Sequence, residues 1–103
     1  MSKVGLVVRL VAKAGKEEEV AAFLAGAEPL ARNEPYTPAW FALRTGPAVF
    51  WIVDAFENDA DRKRHLSGDI ARALLERAPE LLAEPPAIHE AEVLGEKLPT
   101  APV

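Results

Sequence analysis

Apolar residues recur along this chain with two periods, and the switches between them divide it into elements. "VGLVVRLVAK" (4–13) is rich in β-branched residues and reads as a strand ended by Gly15. "KEEEVAAFLAGAEPLARNE" (16–34) changes to helical spacing, with Val20, Phe23, Leu24, Ala27, Leu30 and Ala31 on one face. Glu17, Glu18 and Glu19 suit its first turn, where the helix dipole favours negative charge, and Pro29 is expected to kink or split it. "PAWFALRT" (38–45) and "AVFWIVDAF" (48–56) read as two strands joined by a turn at "GP". "NDADRKRHLSGDIARALLERA" (58–78) is a second helix capped by Asn58 or Asp59, with Leu66, Ile70, Leu74, Ala78 and Leu82 in line. Gly68 and Pro79 predict that it is segmented. "PPAIHEAEVLGEKL" (85–98) is a last, alternating strand.

This βαββαβ order predicts an α+β, ferredoxin-like antiparallel sheet with two helices on one face. The pattern also sets a covering problem. In the third strand Phe50, Ile52 and Phe56 point one way, while Val49, Trp51, Val53 and Ala55 point the other. Helices cover one face only, so the second would be a bare apolar patch. A second copy of the chain is the simplest cover, with Trp51, Val49 and Val53 at the interface of a homodimer.

Composition narrows the partners. The 103 residues suit a single domain over 1–103, with a loose tail from about residue 99. A formal charge of -4 argues against nucleic acid or an anionic membrane surface as the main partner. With no cysteine there are no disulfides, thiolate nucleophiles or zinc-thiolate sites. The apolar N-terminal run is too short to span a bilayer and is interrupted by Arg9, so a cytoplasmic location is the default expectation.

Few residues remain for chemistry. Asp54 is the one charge in an apolar strand, a partly buried carboxylate with Arg9 as its candidate partner; the plainer readings are a structural Arg9–Asp54 pair or an outward-facing end of the strand. His65 stands one helical step from the apolar line through Leu66, either at the edge of a pocket or as an ordinary boundary residue. Tyr36 and Trp40 flank the second strand's start, where they line a ligand pocket or belong to core and interface. His89 cannot share a strand face with Glu90, so no metal site is expected. No phosphate loop, nucleophile elbow or dinucleotide fingerprint is present.

Three stretches together resemble the antibiotic biosynthesis monooxygenase (ABM) family of small dimeric α+β barrels. "AKAGKEEEVAAFL" is similar to that family's Lys-x-Gly-Lys-Glu helix opening. "NEPYTPAWFALR" is similar to its Glu-Pro-Gly-Thr turn, with Tyr36 in place of the glycine. "VDAFENDADRKRHLSGDI" is similar to its strand-three ending and helical His-Leu-x-Ser, with Phe56 where Trp is frequent. The resemblance implies oxygen insertion into an electron-rich phenol or quinol, with no cofactor. It implies His65 and Asp54 as proton-transfer groups, and Tyr36, Trp40, Phe56 and Arg9 around a small aromatic substrate. His65 is the expected base, with Asp54 or Tyr36 orienting the substrate. Haem degradation is disfavoured, because strand one has no Asn and Phe56 replaces the Trp. The competing expectation is a non-catalytic dimeric protein, ligand-binding or stress-associated, on the same fold.

Overall fold

In the computed structural model, residues 2–99 are described. The elements are β1 (Val4–Val11), α1 (Glu17–Arg32), β2 (Ala39–Arg44), β3 (Val49–Phe56), α2 (Asp59–Leu66), α3 (Asp69–Leu81) and β4 (Ala87–Glu92). The strands form one antiparallel sheet in the order β2-β3-β1-β4, a ferredoxin-like α+β fold. Beyond residue 99, the tail expected from the sequence lies outside the described residues.

Strand parity places the core. β3 alternates strictly, with Phe50, Ile52, Asp54 and Phe56 buried and the intervening residues half-buried. The register sets Leu6 opposite Asp54 and Val8 opposite Ile52, so these side chains share the helix-facing side. Val20 and Leu24 from α1, and Leu74 and Leu81 from α3, close over that side. Burying a Leu, Ile or Phe side chain stabilises by about 1.5–3 kcal/mol, so this one layer supplies most of the driving force.

Among the described residues, no helix covers the opposite side. There Val7, Trp51 and Val53 are half-buried, while Phe41 and Leu43 are 53% and 46% exposed. Arg9 is on this side, facing Trp51 in the register and bonded to Glu84 at 3.0 Å. The expected Arg9–Asp54 pair is therefore not formed. β1 pairs with β3 so that odd positions of both strands share a face, which puts Arg9 and Asp54 on opposite sides of the sheet.

Local expectations divide in the helices. α1 runs through Pro29 as one element, so the expected split does not occur. The second helix does break, at Ser67 and Gly68, where the Ser67 hydroxyl bonds back to the Lys63 and Arg64 carbonyls. Pro79 stays inside α3. Asn58 caps α2, its side chain accepting from the Asp61 N–H at 2.8 Å. Asn58→Ala is expected to cost about 1 kcal/mol, read as a lower urea midpoint at unchanged slope.

α2 is tied to the sheet by Arg62, whose guanidinium donates to the Gly5 carbonyl at 3.2 Å and the Ala91 carbonyl at 3.3 Å. At Gly5 the strands approach closely, since a Cβ there would lie 2.6 Å from the Asp54 carbonyl oxygen. Gly15, with φ of +86°, makes the left-handed turn after β1.

Candidate functional site: a buried carboxylate–imidazole–carboxylate array

Three segments distant in sequence meet under the helices. Asp54 comes from the helix-facing side of β3. His65 is in the last turn of α2, where the helix C-terminus favours a cation. Glu34 lies just beyond α1, in a turn closed by the Thr37 N–H donating to the Glu34 carbonyl at 3.1 Å. Asp54, His65 and Glu34 are 4%, 5% and 9% exposed.

The imidazole sits between the two carboxylates. Its Nδ1 is 2.7 Å from Glu34 Oε1, and its Nε2 is 3.1 Å from Asp54 Oδ2. The first contact is a hydrogen bond. The second is a close ion-pair contact without good alignment, and neither Asp54 oxygen receives a well-directed hydrogen bond from a described residue. Thr37 Oγ1 donates to Glu34 Oε1 at 2.7 Å, and Phe56 packs on the imidazole with ring centres 5.2 Å apart.

These surroundings hold protons. Burial pushes the Asp54 carboxyl above its ordinary range, and the facing imidazole only partly offsets it. For His65, burial is the largest single influence and disfavours the charged ring. Asp54 and Glu34 together outweigh it, so the net displacement is upward. Both nitrogens face carboxylates, so the doubly protonated ring satisfies both contacts.

That fixes the pH dependence of stability. With its folded pKa above the ordinary 6.5, His65 contributes fully below that value, and the contribution is lost as pH rises through the raised one. Asp54 acts in the same direction at the acid end: the fold favours its protonated form, and that preference fades as pH rises from 3.8 through its raised value. Urea midpoints are expected to decline as pH rises from 6.5 through the raised His65 value. In His65→Gln this alkaline decline should be absent; an equal decline in both proteins contradicts the assignment.

Beside the array is a cavity of about 60 Å³, walled by Leu6, Val8, Ile52, Leu66, Ile70 and Leu74 and including Asp54 and His65. Leu75 on α3 and Ile88 on β4, 57% and 46% exposed, form its rim.

The remaining expected site residues divide. Phe56 touches His65. Trp40 faces Asp54 across the β2–β3 register and packs under α1 and Ile70, outside the cavity lining. Tyr36 lies under the Arg64 guanidinium, 4.4 Å from its ring centre, and does not line the cavity. Arg9 is on the far side of the sheet. Glu34 and Thr37 were not among the expected site residues, since in "NEPYT" they read as turn residues and no periodicity marks them. Among the described residues, no group of three or more His, Cys, Asp or Glu side chains is placed to hold a metal ion. No helix of the described residues is long and apolar enough to cross a membrane.

No protein-family model matches the chain, and no curated protein matches it. Solved structures do. The NE2512 protein of Nitrosomonas europaea, a protein of unknown function, is 50% identical over 98% of each chain, with a TM-score of 0.95. A candidate antibiotic biosynthesis monooxygenase from the same organism superposes with a TM-score of 0.80 at 17% identity, covering 89% of this chain and 99% of the other. Another, from Chloroflexus aurantiacus, has a TM-score of 0.73 at 20% identity, covering 93% and 97%. The latter two share the fold. The chain belongs to one family with the NE2512 protein, and its fold is that of the antibiotic biosynthesis monooxygenase-like proteins.

Proposed function

We propose that this protein is a cofactor-independent monooxygenase of small electron-rich hydroxyarenes, working as a two-fold dimer. The observation that supports it is the buried Asp54–His65–Glu34 array beside an apolar cavity. Activating a phenol toward oxygen requires removal of its proton in a water-poor site. His65 has both nitrogens engaged by carboxylates, whereas both Asp54 oxygens retain acceptor capacity. Asp54 is therefore the proton acceptor in this reading, and His65 the fixed cation beside it.

The reaction balances for a hydroxyarene with a hydrogen para to its hydroxyl. Asp54 takes the phenolic proton, and the phenolate passes one electron to O2. Phenoxyl radical and superoxide couple at the para carbon, forming the new C–O bond. The peroxide takes the proton back from Asp54. Loss of the para proton with O–O cleavage then releases water and leaves a quinone. One oxygen atom enters the product and one becomes water. The cavity is small, and Leu75 and Ile88 stand exposed at its rim, so substrate entry in this reading requires those side chains to turn outward.

The dimer reading rests on the helix-free face. A cavity of about 480 Å³ lies there, lined by Val7, Phe41, Val53 and the segment through Leu94 and Leu98. Its size falls within the roughly 300–1,000 Å³ of small-ligand pockets, which favours a second reading as a binding protein that performs no oxidation.

Oxygen uptake with a panel of naphthols and hydroquinones, in the presence of chelator, separates the two. Uptake above the spontaneous rate, abolished in Asp54→Asn, supports the oxygenase. Saturable binding without uptake supports the binding protein.

A further inference from the structure

Glu34 belongs to no strand or helix, yet its carboxylate is buried and carries two contacts on one oxygen, from Thr37 Oγ1 and from His65 Nδ1, both at 2.7 Å. We propose that Glu34 is the positioning residue of this site, holding His65 through Nδ1 as a fixed imidazolium, so that Nε2 is presented to Asp54.

The surroundings are built for that contact. Thr37, three residues on, anchors the carboxylate from its own turn. Gly68 leaves room on the other side, since a Cβ there would stand 3.3 Å from Glu34 Oε2. Phe56 fixes the tilt of the imidazole from the sheet side. The break after α2 thus sets Gly68 beside Glu34.

Among the described residues, the charged and titratable groups near His65 are few. From the α1–β2 segment come Glu34 and Tyr36, and from β3 comes Asp54. α2 itself contributes Arg62 and Arg64. The first is directed to the Gly5 and Ala91 carbonyls and to Asp59, and the second lies over the Tyr36 ring. On α3, Asp69 is exposed and engages Arg72. From β1, Leu6 and Val8 are apolar, and from β4 Glu90 faces Arg62. Glu34 and Asp54 are thus the two groups in contact with the imidazole, and removing the charge of either should move its titration.

The inference deepens the oxygenase reading and rests on it for the purpose of the array, but its test needs no turnover. The probe is the His65 ring itself, followed by nitrogen-15 NMR of the intact protein through a pH titration. In the wild type the ring is expected to carry protons on both nitrogens up to a midpoint above the ordinary 6.5. Glu34→Gln keeps an oxygen able to accept from Nδ1–H and Thr37, but removes the charge. The midpoint should then drop by about one pH unit, a tenfold change in proton affinity. Thr37→Val, which spares the charge and frees the carboxylate, should broaden the ring signals and move the midpoint less. A wild-type midpoint at or below 6.5 overturns the proposal even if no variant folds, and so does an unmoved midpoint in a folded Glu34→Gln. With His65 charged as expected, a failure of oxygen uptake counts against the oxygenase reading alone.

Discussion

His65→Ala is expected to destabilise the fold by about 3–5 kcal/mol, the usual cost of removing one partner from a buried charged set. The substitution leaves two buried carboxylates, Glu34 and Asp54, with no cation between them. Against a total stability of about 5–15 kcal/mol, this is a large fraction. The melting temperature should fall by at least roughly 12 °C, at about 4 °C per kcal/mol for a domain of this size. The deficit should narrow as pH falls from neutral into the acid range, where Asp54, its carboxyl raised by burial, takes up a proton. From sequence, a boundary histidine would be removable without harm to the fold. Its burial between two acids reverses that expectation. Thermal melts of the two proteins across this pH range check it; equal melting temperatures at neutral pH would show that the array contributes nothing to the fold.

Trp51→Glu should convert a dimer into a folded monomer. Trp51 is at the centre of the helix-free face, opposite Arg9 on β1 and Leu43 on β2, with its indole N–H donating to Thr45 Oγ1 at 2.9 Å. It is outside the core cluster, so a charge there spares the monomer's packing. In an apolar interface the same charge is stripped of water at a cost of at least about 4 kcal/mol, roughly 1,000-fold in Kd. Sedimentation at micromolar concentration should show a wild-type dimer and a monomeric variant with unchanged circular dichroism. A wild-type monomer, or a Trp51→Glu protein that stays dimeric, would remove this interface from the account.

The elements were legible because period and turn chemistry agree. β3 shows this most clearly: its two-residue alternation specified which residues face the helices, and the structure keeps that division at all eight positions. The helix does not split at Pro29, because a proline near a helix end removes few backbone bonds and packing of Ala27 and Ala31 outweighs the loss. The Arg9–Asp54 pair failed for a different reason. Alternation gives the two faces of each strand, but only the register between strands says which faces coincide.

The site was half legible. Asp54 stood out as a charge in an apolar strand, and His65 as the one histidine on a helix that folds back over the sheet. Glu34 was invisible, since it follows α1 as an acidic residue in an acidic chain and lies 31 residues from its imidazole. Its burial comes from where the α1–β2 turn lands against the end of α2, which no local pattern reports.

The central claim is that Asp54, beside a fixed His65 cation, takes a phenolic proton so that the bound phenolate reacts with oxygen. Its most direct measurement is oxygen uptake with 1-naphthol under chelator, comparing wild type with Asp54→Asn across pH. The account predicts one O2 consumed per naphthoquinone formed, a wild-type rate that rises with pH through a value above the ordinary carboxylate range, and a loss of about 10²-fold or more in Asp54→Asn with that limb abolished. An Asp54→Asn protein that consumes oxygen at the wild-type rate would contradict it.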